Sequence, residues 1–178
     1  RPNSGMRGTG VERSSKINLM EDGIPIAPAP YSSPAAYYSP TAGRMESFEV
    51  RKGSSQIKYG PHTTGGALNY VSTSIPRDFR VKANLFGGQF NTTKAHINVG
   101  GSGETFGYLL ETFLDKSEGF KKLDHAGDNT GYNKSDYLAK FRFNTPRSFS
   151  IPTAIELKYS ITVEVSNETY LGLSRSDF

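Results

Sequence analysis

Gly53, Gly60, Gly65 and Gly66 stand among Lys52, Lys58, Ser54 and Ser55 in FEVRKGSSQIKYGPHTTGGALNYVS, residues 48–72. These are the residue types that cradle a phosphate: glycine for close backbone approach, lysine for charge, a hydroxyl for the bound metal. The order is wrong for that chemistry. A phosphate loop needs two glycines five apart, followed at once by Lys and Ser or Thr at the start of a helix, and here the glycines lead into ALNYVS, which reads as a strand. Asp124, Asp128 and Asn129 offer oxygen ligands for calcium, but the EF-hand spacing and its bidentate Glu are missing, so a solvated loop is the better reading. Ser, His and Asp occur without a G-x-S-x-G elbow or an H-E-x-x-H helix to arm them, so no catalytic residue, no metal ligand set and no enzyme is expected.

Composition narrows the classes further. The 178 residues include no cysteine, which removes disulfide frameworks, thiolate metal sites and cysteine nucleophiles. Lys plus Arg number 21 against 17 Asp plus Glu, and the net +4 is spread along the chain without a basic run, so nucleic acid is not an expected partner. No apolar stretch is long enough for a membrane helix, and residues 1–20 lack the pattern of a signal peptide. A transmembrane β-barrel stays open, because its strands alternate between lipid and lumen.

Two kinds of element must position these residues. Up to about residue 74, strands are expected at Lys16–Met20, Ser47–Arg51 and Ala67–Ser72, with loops between them. Five prolines between Pro25 and Arg44 preclude a regular strand or helix through that loop, which carries Tyr31, Tyr37 and Tyr38. From residue 80 onward the period is two. Ile155, Leu157, Tyr159, Ile161, Val163 and Val165 alternate with Glu156, Lys158, Ser160, Thr162 and Glu164. The same alternation runs through Phe106–Asp115 and Tyr137–Asn144, and more weakly through Val81–Leu85 and Thr93–Val99, giving about five consecutive strands. GSGE at 101–104 marks a tight hairpin, whereas residues 117–134 form a long polar loop, so short turns are expected at one end and long loops at the other. A soluble antiparallel sandwich fits the alternation equally well.

Arg7-Gly8, Asp22-Gly23-Ile24-Pro25, Phe48-Glu49-Val50, Gly53, Tyr59-Gly60, Gly65-Gly66 and Asn69 together form a pattern over some seventy residues. It resembles the second half of the plug domain of TonB-dependent outer-membrane receptors, with the ferric citrate type as the nearest variety. One departure is Lys52, where the family has Arg before the motif glycine; Arg51 stands one residue earlier. Lysine lacks the planar bidentate fork of arginine, so the lock between plug cations and barrel glutamates is expected to be looser there, while Arg7 carries over directly.

The resemblance implies a mainly β fold: an α+β plug at residues 1–78, then at 79–178 the first antiparallel strands of a barrel that has about 22 in full. The chain is expected to be a fragment of such a receptor. It implies uptake of an iron chelate, ferric citrate or a related siderophore, across the bacterial outer membrane. The partners would be TonB, the chelate and membrane lipid, and the iron would enter chelated, with no resident cofactor. The motif residues of the plug and its lock would be Arg7, Gly8, Asp22, Gly23, Glu49, Arg51, Lys52, Gly53, Tyr59, Gly60, Gly65, Gly66 and Asn69. The candidate chelate contacts are Tyr31, Tyr37, Tyr38, Pro61, His62 and Thr63. A receptor for another cargo (cobalamin, a metal chelate, a sugar) and a soluble β-rich binding module are the alternatives.

Overall fold

The fold is described from a computed structural model covering residues 5–6, 8, 16–26, 39–60, 63–121, 129–146 and 151–167. The chain divides into two compact units, residues 1–73 and 74–178.

The first unit is built on a four-stranded mixed sheet in the order β2-β1-β4-β3. Its strands are β1 (Ile17–Glu21), β2 (Ile24–Pro25), β3 (Met45–Arg51) and β4 (Gly66–Ser72). The central strand β1 runs parallel to β4, and β3 pairs antiparallel on the other side of β4. Ile17, Leu19 and Met20 are all buried, as expected of a strand covered on both faces. Ile17 and Leu19 pack with Ile26 and Tyr70, and Met6, Met45 and Leu68 close the cluster. Phe48 and Tyr70 face each other across β3 and β4 with their rings edge to face at 5.3 Å. Burial pushes the Tyr70 phenol pKa up, so it stays a neutral packing group at physiological pH.

Two short 3-10 helices, Ala42–Arg44 and Ser54–Tyr59, are additions to the sequence expectation, which has loops there. The three strands expected there appear with bounds moved by one or two residues.

The second unit is an antiparallel meander in the order β5-β6-β7-β8-β9. The strands are β5 (Arg80–Gly88), β6 (Thr92–Ser102), β7 (Phe106–Ser117), β8 (Tyr132–Asn144) and β9 (Ala154–Ser166). Lengths of 9 to 13 residues suit strands that cross a bilayer obliquely. The connections differ from the expected segregation of short and long. Residues 89–91 make a tight hairpin at the same end as the long connection 118–131, and residues 103–105 make another at the opposite end. The missed hairpin has no glycine at its centre: Phe90 and Asn91 both adopt positive φ, at 58° and 53°. Sequence rules look for Asn-Gly or Asp-Gly at such a turn.

Alternation sorts the residues onto two faces of the sheet. On one face Phe106, Leu110, Leu114, Tyr137, Phe141, Phe143, Ile155, Leu157, Tyr159, Ile161, Val163 and Val165 are all exposed. Phe106 lies 5.2 Å from Phe143 and 6.4 Å from Phe141, so aromatic rings collect at the end beside the 103–105 turn. On the other face Leu109, Glu111, Phe113, Asp136, Leu138 and Lys140 are buried. Close approach there is made possible by glycine: a Cβ on Gly100 would lie 2.8 Å from Pro76 Cδ, and one on Gly107 would lie 3.1 Å from Ile75. Ile75 thereby packs with Leu109 and Leu138.

Candidate functional site

The motif residues of the first unit converge on the hairpin between β1 and β2. Asp22 (φ 51°) and Gly23 (φ 79°) occupy its two central positions, the backbone geometry for which Asp-Gly is selected. The Asp22 carboxylate then accepts the Ser72 amide at 2.8 Å and the Ser72 hydroxyl at 2.5 Å, tying the turn to the end of β4. Asn69 works in both directions. Its amide oxygen accepts the Gly23 N–H at 2.8 Å, and its NH₂ donates to Glu49 Oε2 at 3.2 Å. Asp22, Gly23, Glu49 and Asn69 therefore form one hydrogen-bonded unit across β4, although up to 47 positions separate them in the chain.

This arrangement carries a stability prediction. Asp22→Ala leaves the Ser72 amide without its charged acceptor and should cost about 2 kcal/mol. Asp22→Asn should lose less, because an amide oxygen still accepts. Denaturant unfolding of the receptor carrying each variant measures the difference.

The second motif group lies around the 3-10 helix. Gly53 (φ 90°) and Gly60 (φ 94°) cap its two ends in conformations that strain any residue with a Cβ. The Tyr59 carbonyl accepts the Asn18 side-chain amide, and Lys58 Nζ sits 4.9 Å over the Tyr59 ring. Thr63 is buried, with its hydroxyl donating to the Gly60 carbonyl at 3.0 Å. Gly65 N–H bonds to the Lys16 carbonyl at 2.8 Å, and a Cβ on Gly66 would meet the Arg51 carbonyl at 2.8 Å. These glycines serve backbone packing. Gly8, at φ 72°, has open space around it.

Arg51 and Lys52 are exposed at the end of β3 and pair with no acid among the described residues. Arg7, Tyr31, Tyr37, Tyr38, Pro61 and His62 lie outside the described residues. A cation that the sequence did not single out is Arg44, fully buried and paired with Glu21 at 2.9 Å. Nothing in the local sequence marks it, because its acid partner is distant in the chain and is brought close only by the sheet.

In the second unit, the polar face of the meander holds a row of alternating charge across four strands: Lys94, Asp115, Lys134 and Glu164 are successive cross-strand neighbours. Lys94 reaches Asp115 at 3.1 Å and Lys134 reaches Glu164 at 3.0 Å. Two positions further along, His96 Nε2 contacts Glu111 Oε1 at 2.7 Å, and Thr162 donates to Asp136 at 2.8 Å. Glu156, Lys158, Lys140 and Arg142 share this face by strand register, as expected from the alternation. Among the described residues no group of three or more His, Cys, Asp or Glu is placed to hold a metal.

Residues 2–67 match the TonB-dependent Receptor Plug Domain family. Over those residues the chain is similar to a TonB-dependent receptor plug domain.

Solved structures extend the likeness past the plug into the meander. The copper transporter OprC matches with a TM-score of 0.65 at 16% identity, over 91% of this chain and 26% of its own. The siderophore receptor PirA from Acinetobacter baumannii matches with a TM-score of 0.62 at 17% identity, over 95% and 27%. The ferric yersiniabactin uptake receptor FyuA from Yersinia pestis gives 0.60 at 16%, over 83% and 23%. At these identities the likeness shows the fold alone: a plug-like mixed sheet followed by an antiparallel meander. The chain spans about a quarter of the length of these structures.

Proposed function

We propose that the receptor of which this chain is part takes up an iron chelate, ferric citrate or a related siderophore, across the bacterial outer membrane. The observation that carries this reading is a plug-family domain followed directly by strands with one exposed, aromatic-edged apolar face. Such a face is costly in water and is what the hydrocarbon of a bilayer requires. Along β7, the apolar row from Phe106 to Leu114 extends about 26 Å at about 3.3 Å per residue. Tilted about 40° as barrel strands are, it rises about 20 Å, and the longer row from Ile155 to Val165 on β9 rises about 25 Å, the height of the apolar band of outer-membrane barrels.

In this reading the polar face of the meander lines the lumen. The chelate contacts the plug loops at Tyr31, Tyr37, Tyr38, Pro61, His62 and Thr63 and the long barrel loops. TonB engages a segment upstream of the plug by strand addition and draws on the proton gradient to rearrange the plug. Arg7 and the Arg51-Lys52 pair supply the plug cations of the lock. No covalent step is needed, and the iron travels as a bound chelate.

The ferric citrate assignment is tested by growth on that chelate as sole iron source, with and without the gene. Loss of growth in the deletion strain is expected, and equal growth removes that cargo.

A further inference from the structure

We infer that Ile75, Pro76 and Arg77 form a strap seated on the second unit, which stays in place while the plug rearranges and fixes the end from which the plug returns. The inference rests on the transport reading and names the fixed end of its moving part.

The strap follows the boundary between the two units, which falls between Thr73 and Ser74. Segments that join domains are usually exposed and make few contacts. This one has no regular secondary structure, yet side chain and backbone alike hold it. Ile75 is 9% exposed and packs with Leu109 and Leu138, which are buried on the polar face of β7 and β8. The Ser102 hydroxyl donates to the Pro76 carbonyl at 2.7 Å and to the Arg77 carbonyl at 3.2 Å. The Ser102 N–H adds a bond to the Arg77 carbonyl at 3.3 Å.

Room for the strap comes from missing side chains. Gly100 on β6 and Gly107 on β7 share a face with Ser102 and Leu109 by strand register. Glycine weakens a strand, and inside one it marks the close approach of another backbone. A Cβ on Gly100 would stand 2.8 Å from Pro76 Cδ, and one on Gly107 would stand 3.1 Å from Ile75 Cγ2. Two strand positions thus give up their side chains to seat three residues, which a passive connector does not require. Upstream, the Asp22 carboxylate accepts the Ser72 amide at 2.8 Å and the Ser72 hydroxyl at 2.5 Å, so Ser72 belongs to the sheet of the first unit. Thr73 and Ser74 alone separate that anchorage from Ile75. A pull transmitted through β4 therefore meets the seat at once, and the seat shares it between a buried side chain and two hydrogen-bonded carbonyls.

Locking and loosening the strap test this in the complete receptor, by uptake of radioiron supplied as ferric citrate to iron-starved cells. Ile75 Cγ2 stands where a cysteine sulfur would, within disulfide reach of a Cβ at position 107, and the chain has no cysteine of its own. The 103–105 turn beside the seat faces the oxidising periplasm in the transport reading, so Ile75→Cys with Gly107→Cys should form the bond there. The oxidised pair should take up iron within about twofold of the same variant kept reduced, a comparison that holds folding constant. Ile75→Ala with Ser102→Ala frees the strap, and uptake per receptor should fall about fivefold while ferric citrate binding in detergent stays within about twofold. Uptake abolished by the disulfide and restored by reductant overturns the strap and leaves the transport reading standing. Full uptake by the loosened variant does the same, and a cysteine pair that does not cross-link contradicts the seat itself. Wild type that accumulates none of this iron, with TonB and the proton gradient in place, overturns both.

Discussion

Ile161→Lys is expected to cost about 2–4 kcal/mol of folded stability in a bilayer, whereas Ser160→Lys beside it should cost about 1 kcal/mol or less. Ile161 is 46% exposed and pairs across strands with Tyr137 on the apolar face, near the middle of the row that runs from Ile155 to Val165. Ser160 pairs with Leu138 on the opposite, polar face. A soluble sandwich, with its apolar face packed on a second sheet, would also resist a lysine at 161. Depth separates the two cases. In lipid the cost falls toward about 0–1 kcal/mol near the interface, so Val165→Lys at the end of β9 should be nearly silent. Urea titration of the receptor refolded into vesicles reads all three positions. A cost at Val165 as large as that at Ile161 would count against a bilayer.

The second large effect is expected at the base of the long loop. A Cβ on Gly131 would lie 2.2 Å from the Ser117 carbonyl oxygen and 2.7 Å from Glu118 Cα, both backbone atoms that cannot swing aside. Gly119 is locked in the same way, with φ 74° and the Thr130 carbonyl 2.6 Å from where its Cβ would be. The two sides of the loop are thus zipped together at their glycines. Gly131→Ala should cost about 3 kcal/mol locally and part the loop stem, because the overlap is relieved only by moving backbone. Gly87→Ala, with open space and no positive φ, serves as the control and should be neutral. Protease cleavage within residues 118–131 should be many times faster in Gly131→Ala than in either wild type or Gly87→Ala. Equal rates would remove the zipper.

Much of this architecture is written in local pattern. The alternation from Ile155 to Val165 fixes which residues share a face, since a one-residue slip would turn every side chain over, and the structure places that row as the alternation requires. Asp22-Gly23 is likewise legible, because few residue pairs accept two successive positive φ angles. The hairpin at Phe90-Asn91 was illegible for the converse reason: phenylalanine carries no turn signal, and the geometry is imposed by Glu118 from the neighbouring connection. The Arg44–Glu21 and His96–Glu111 pairs depend on which strands become neighbours, which pattern alone does not specify. Asn69 sat within the motif, but its role as the bridge from Gly23 to Glu49 emerges only from the sheet order.

The proposed energised import of an iron chelate is tested most directly by radioiron accumulation in cells expressing the complete receptor. The account predicts saturable accumulation from the chelate that depends on the gene and collapses when TonB is deleted or the proton gradient is discharged. Accumulation that is the same with and without the gene, or that persists undiminished in the absence of TonB, would contradict it.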